Sequence, residues 1–170
     1  MTIYPIVKFG NPVLEKPSET VTVFDEELKK LTEDMFESMY AAHGVGLAAP
    51  QIGIGRRIAV IDVTFKEDPD GRLVLINPEI IHTEGRHTQS EGCLSIPDFR
   101  ENVTRPIKVT IRAQDVHGKV FEKTGEELLA RAFQHETDHL NGKLYISRIS
   151  ALKRDLIKRK IRKMVKAGEW

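Results

Sequence analysis

The chain has a single cysteine, Cys93, and so cannot close an intramolecular disulfide. It reads as a protein of a reducing compartment whose thiol is free for other chemistry. Long hydrophobic runs are also missing: stretches such as Ile58–Ile61 and Leu73–Ile76 are far too short to cross a bilayer. The opening "MTIYPIVKFG" has neither the charged start and apolar stretch of a secretory leader nor the Arg/Ser-rich character of a transit peptide. The expectation is a cytoplasmic chain with no membrane contact. Repeats, low-complexity blocks and dividing Pro/Gly/Ser linkers are absent too, so residues 1–170 are expected to form one domain. A chain of that size buries roughly 70% of the surface exposed by its unfolded form and needs no covalent staples.

Charge is nearly balanced, at +1 over the chain, but its placement is uneven. Residues 151–170 hold eight Lys/Arg against Asp155 and Glu169, a net +6, which leaves −5 for the rest. A basic tail of this kind suits an acidic partner, nucleic acid first among them.

Periodicity gives the coarse architecture. Leu28, Leu31, Met35 and Met39 fall on one face of a helix expected over about 25–43, capped by Asp25 and ended by a left-handed turn at Gly44. Strands are expected at "RIAVIDV" from Arg57, "RLVLI" from Arg72, "EIIHTE" from Glu79 and "IKVTIRAQD" from Ile107, with a hairpin turn at His117-Gly118 and a returning strand. A second helix is expected over 124–141, with Thr124 and Glu127 spaced as a capping box and Gly142 as its stop. The last twenty residues read as a third, whose apolar stripe is Leu152, Leu156, Ile157, Ile161, Met164 and Val165. The fold class is α+β: mostly antiparallel strands around a central helix, with an N-terminal helix and a basic C-terminal one.

The second helix carries "FQHETDHLNG", Phe133 to Gly142, in which His135 and His139 lie one turn apart on the same face with Glu136 beside the first. Chance would place His-Glu-x-x-His in a chain of this composition only about 0.02 times. Two neutral imidazoles at this spacing can bind a divalent metal while the glutamate moves protons. A catalytic metal site normally has a third protein ligand. No histidine follows His139, and the only later acids, Asp155 and Glu169, sit in the basic helix and beside the last residue. Upstream lies Cys93 in "SEGCLSIP", whose thiolate suits Fe(II), Zn, Co or Ni.

Three blocks then stand together: "GVGLAAPQ" (Gly44–Gln51), "EGCLS" (Glu91–Ser95) and "QHETDHLNG" (Gln134–Gly142). In this order and spacing they resemble the signature motifs of the peptide deformylases, over nearly the whole chain. The resemblance implies a hydrolase that removes the N-formyl group from the initiator methionine of nascent bacterial polypeptides and releases formate, by attack of metal-activated water. It implies Cys93, His135 and His139 as metal ligands, Glu136 as general acid and base, and Gln51 with the Leu94 backbone N–H as oxyanion donors. It places the backbone of Val45 and Gly46 against an extended peptide, and Val45, Glu91, Leu128, Ala132 and His135 around the methionine side chain. The ion it implies is one Fe2+, with Zn2+, Ni2+ or Co2+ suited to the same ligands. It extends to contact between the 151–170 helix and ribosomal RNA, and a monomer is the simplest assembly.

Arg131, one turn before His135, reads as a rim residue with a packed stem and a charge facing solvent or peptide, or as an ordinary surface arginine. His82, His87 and His117 read as surface residues. The rival functions are a zinc metallopeptidase of the His-Glu-x-x-His type, which lacks its downstream ligand here, and a non-enzymatic RNA-binding module resting on the tail alone.

Overall fold

The computed structural model describes all residues from Met1 to Trp170. Three helices, α1 (Glu26–Ala41), α2 (Glu127–Leu140) and α3 (Ala151–Lys166), accompany seven strands. Strands β1 (Gly46–Ala48), β2 (Ile58–Ile61), β3 (Leu73–Glu84), β6 (Lys108–Gln114) and β7 (Val120–Glu126) form one antiparallel sheet in the order β1-β2-β3-β6-β7. Strands β4 (His87–Cys93) and β5 (Ile96–Arg105) form a separate two-stranded hairpin. The α+β class expected from the sequence is the observed one.

The middle of the sheet is buried on both faces, which is why β2 is the continuous apolar run "IAVI". Its residues alternate between two cores. Ile58 and Val60 join Leu28, Met35, Phe36 and Met39 of α1, whereas Ala59 and Ile61 join Ala130, Phe133 and Leu140 of α2. Each such fully buried Val, Leu, Ile or Phe side chain contributes roughly 1.5–3 kcal/mol. Helix α2 is therefore clamped along its apolar stripe, and its opposite face is left for other uses.

Several local expectations are corrected. Helix α1 does start at a capping Asp25, which accepts from Leu28 N–H at 3.0 Å, but its left-handed closing residue is His43 (φ 59°), not Gly44. The N–H groups of His43 and Gly44 close onto the carbonyls of Tyr40 and Met39, a Schellman ending that needs the turn one residue earlier. Gly142 (φ 77°) does close α2 as expected. The start of α2 differs: Thr124 is not its cap but lies in β7, with its hydroxyl 2.7 Å from that of Thr110 on β6. Sheet pairing extends to Glu126, so the helix begins only at Glu127.

The two strands expected over 72–84 are one. Asn77 takes a left-handed conformation (φ 53°), and its side chain bonds Val21 N–H, Val21 C=O and Gln114, replacing ladder bonds lost at the bulge. On α3 the six-residue apolar stripe shrinks: Ile157 and Ile161 are buried, whereas Leu152, Leu156 and Val165 are exposed. Ile157 and Ile161 pack with Leu144, Tyr145 and Ile146 and with Ile96 and Val103 of the hairpin. Trp170, beyond the helix, donates to Phe9 C=O at 2.8 Å and meets Phe99 edge-on.

One buried polar cluster fastens α1 to the end of β2. Asp62 accepts from Tyr40 Oη at 2.5 Å, from the backbone and hydroxyl of Thr64, and from Lys66 N–H. Burial alone would raise the Asp62 carboxyl, but these donors outweigh it and hold its pKa below the ordinary value. Burial, and then the bond to Asp62, push the Tyr40 phenol up to about 12. Tyr40→Phe strips a donor from a buried carboxylate and is expected to cost about 1–3 kcal/mol at neutral pH. The cost should shrink below about pH 4, where Asp62 loses its folded-state advantage as it protonates. It should shrink again above about pH 10, where the unfolded tyrosine ionises before Tyr40 does. Urea denaturation of both proteins across this pH span checks the two limbs.

Candidate metal centre

Helix α2, strand β4 and the short 3₁₀ turn Ala49–Ile52 each deliver one part of the site. His135 and His139 project from the face of α2 turned away from the sheet, and their Nε2 atoms lie 3.2 Å apart. Cys93, the last residue of β4, brings its Sγ to 3.3 Å from His139 Nε2. The three donor atoms lie within 4.8 Å of one another. His135 Nδ1 is held at 2.6 Å from Glu91 Oε2, so it carries the proton and its Nε2 lone pair faces His139 and Cys93. Two imidazole nitrogens and a thiol converging at this separation have the donor chemistry of a divalent-metal site, and the residues fit one.

Glu136 is 4% exposed and its Oε1 has no hydrogen-bond partner. Its Oε2 lies so near Gly46 that a β-carbon there would come within 2.6 Å. This close approach, not a turn, is what requires glycine at the head of β1, since the φ of Gly46 is not left-handed. Burial raises the Glu136 carboxyl to about 7. Burial pulls His139 well below its ordinary value, reinforced by His135, and keeps it neutral. At His135 burial acts in the same downward sense but is outweighed by Glu136, Cys93 and Glu91, which raise its pKa.

Gln51, 1% exposed, is oriented by its own oxygen, which accepts from Ala48 N–H at 3.0 Å. Its amide nitrogen consequently points to Ser95 Oγ (3.3 Å) and Cys93 Sγ (3.6 Å). Leu94 lies in the tight turn after Cys93. Gln51, Cys93, Leu94, His135 and Glu136 border a cleft of about 500 Å³, together with Val45, Gly46, Glu91, Leu128, Arg131 and Ala132, and His139 lies buried beside it. Every site residue expected from the sequence is therefore at or beside one cavity. His82 and His117 are not, and lie on the surface as expected; His87, half-buried, opens β4.

The sequence reading of Arg131 is overturned. It is 6% exposed, and its guanidinium donates to Glu91 Oε1 (2.9 Å), Val103 C=O (3.0 Å) and His87 C=O (2.9 Å). Also unanticipated was the larger network. Arg105 holds Glu91 through two bonds, at 2.8 and 2.7 Å, and reaches Asp138 at 3.0 Å, while Arg148 grips Asp138 at 2.6 and 2.7 Å. Glu91 borders the cleft, but both carboxylate oxygens are occupied by Arg105, Arg131 and His135. Burial would raise its pKa, and the bonds from Arg105 and His135 overcome that and keep it ionised. The one sequence hint of this network was Asp138, sitting inside the histidine motif itself.

A His-Glu-x-x-His helix facing a cysteine at the base of a cleft defines a class, the metal-dependent hydrolases with a Cys-His-His centre. The particular family follows from comparison. The polypeptide deformylase family model matches residues 3–155. A peptide deformylase of Acidobacterium capsulatum is 66% identical over 170 residues, covering the whole of both chains. One from Heliobacterium modesticaldum is 50% identical over 149 residues, covering 88% of this chain and 95% of its own. The crystal structure of a peptide deformylase from Legionella pneumophila superposes with a TM-score of 0.90 at 45% identity, covering 98% of each chain. The chain belongs to the polypeptide deformylase family and is a metal-dependent hydrolase.

Gly46→Ala tests the packing of Glu136. The fold should survive, with circular dichroism unchanged, while displacement of the carboxylate by the new methyl group lowers turnover by about 10²-fold, the scale of an ångström-sized misplacement. Steady-state formate release by the variant checks it.

Proposed function

We propose that this chain removes the N-formyl group from the N-terminal methionine of newly synthesised polypeptides and releases formate. The observation that carries the reading is the convergence of Cys93 Sγ and both histidine Nε2 atoms beside a cleft that Cys93, His135 and Glu136 border together with Gly46 of the edge strand. Strand β1 ends the sheet order, and the Val45 carbonyl is taken by Asp62 N–H at 2.8 Å. By the alternation of antiparallel strands, the N–H and C=O of Gly46 then face the cleft, where an extended peptide can add as a further strand. Leu128, Ala132 and Val45 offer the methionine side chain its apolar surroundings.

Cys93, His135 and His139 would hold a divalent ion, which when bound would supply Lewis acidity and lower the pKa of an adjacent water. Glu136, with a carboxyl near neutrality, takes up the proton of the attacking water and delivers it to the departing amine. Gln51 Nε2 and the Leu94 N–H donate to the oxygen that gains negative charge, a role whose loss typically costs about 10²–10³ in rate. Our assignment for the native ion is iron(II), with zinc, nickel and cobalt suited to the same thiolate and imidazoles. Metal analysis of anaerobically isolated protein, with activity per ion, decides among them.

No helix is long and apolar enough to cross a membrane. We place the chain in the cytoplasm as a monomer, with the basic face of α3 resting on ribosomal RNA. Because Ile157, Ile161 and Trp170 pack onto the body, deleting α3 would confound contact with folding. Charge reversal at the exposed Arg159 and Lys163 is cleaner. It should weaken ribosome association, most visibly at low salt, and leave turnover of a short formyl peptide unaltered; equal co-sedimentation of both proteins would refute the contact.

Glu136→Ala is expected to retain bound metal yet lose turnover. Incubation of the unsubstituted protein with formyl-Met-Ala-Ser separates this reading from a metallopeptidase: formate and intact Met-Ala-Ser should appear in equal amounts, and internal cleavage without formate would reverse the assignment.

A further inference from the structure

The β4–β5 hairpin, which carries Cys93, has no ladder bond to the main sheet. Its apolar residues Ile96 and Val103 pack toward α3 and the segment around Tyr145, not toward α2. Yet Cys93 Sγ lies 3.3 Å from His139 Nε2 on α2, and the donor atoms of Cys93, His135 and His139 all lie within 4.8 Å of one another. Something other than sheet pairing must set that distance.

We propose that Arg131 is a positioning residue for the metal centre, a three-point clamp that fastens both strands of the hairpin to α2. From the middle of α2 its Nη1 reaches Glu91 Oε1 on β4 and Val103 C=O on β5, and its Nη2 reaches His87 C=O at the start of β4. A planar fork reaches acceptors on two strands from two separate nitrogens, whereas an ammonium would have to meet all three from one point. The same bonds hold the Arg131 charge on the hairpin, although the residue borders the cleft. Through Glu91 the clamp also acts on His135, because Glu91 Oε1 takes the arginine while Oε2 takes His135 Nδ1. Arg105 braces Glu91 from β5, but its reach to α2 goes to Asp138. Arg131 alone bonds the backbone of both hairpin strands from the helix.

The inference rests on the deformylase reading only for the name of the reaction. Arg131→Met and Arg131→Lys test it with Co2+ alone, by chelator competition, and by amide exchange over residues 87–105. In both variants Co2+ should be held about 10–100-fold more weakly, the usual cost of losing an outer partner of a metal ligand. Hairpin amides should lose protection while those of β2 and β6 keep it, and kcat should fall more than KM rises. Co2+ affinity within about twofold of the unsubstituted protein, or unaltered hairpin protection, would overturn the clamp. So would full recovery in Arg131→Lys. Should Arg131→Met not fold, Arg131→Lys decides by the same readouts. Absence of formate release from the unsubstituted protein would defeat the deformylase reading and leave the Co2+ and exchange results standing.

Discussion

The carboxylate of Glu91 is the group on which the rest of the site depends. It lies buried among two guanidiniums and an imidazole, each within 3 Å. Removing a carboxylate and two guanidiniums from water costs several kcal/mol per ion, and only near-complete pairing offsets it. That requirement is met by partners drawn from α2 and β5, so the network is stable only when hairpin and helix are correctly apposed. A packed apolar contact would tolerate sliding. An interlocked set of bidentate pairs does not, and the metal ligands inherit that definition.

The site is assembled from elements held in different ways. Helix α2 is fixed by its apolar face against β2, β3 and β6. Gln51 is fixed by a tight turn that follows the edge strand β1. The hairpin is fixed by charge on one side and by the apolar cluster with α3 on the other. The polar face of α2 can therefore be given over to His135, Glu136, Asp138 and His139 without loss of the helix, because its opposite face has already secured it.

What could be read from sequence divides along the same line. His135, Glu136 and His139 were legible because helical periodicity fixes their relation locally, and Cys93 because only a few residue types can complete such a donor set. The peptide-facing stretch from Val45 to Gln51 came from motif resemblance. Arg105, Asp138 and Arg148 escaped and Arg131 was misread as a rim or surface residue, since pairs that cross 10 to 40 positions follow no period and a buried arginine looks like any other in composition. The hairpin strands escaped for a related reason. "HTQSEGC" shows no apolar alternation, and the one buried residue of β4 is Glu91, a charged side chain where pattern reading expects a valine. Thr124 and Glu127 gave a false capping signal because cross-strand pairing to β6 overrode a local preference.

Cys93 and His139 belong to pieces of the chain that no strand pairing joins, 46 positions apart. An ion bound by both is accordingly a crosslink as well as a reagent. It closes a long loop between hairpin and helix in the manner of a disulfide, in a chain whose one cysteine cannot form such a bridge internally. Occupancy and rigidity are then a single thermodynamic quantity: whatever tightens the hairpin raises affinity for the ion, and whatever ion is bound returns the same free energy to the hairpin.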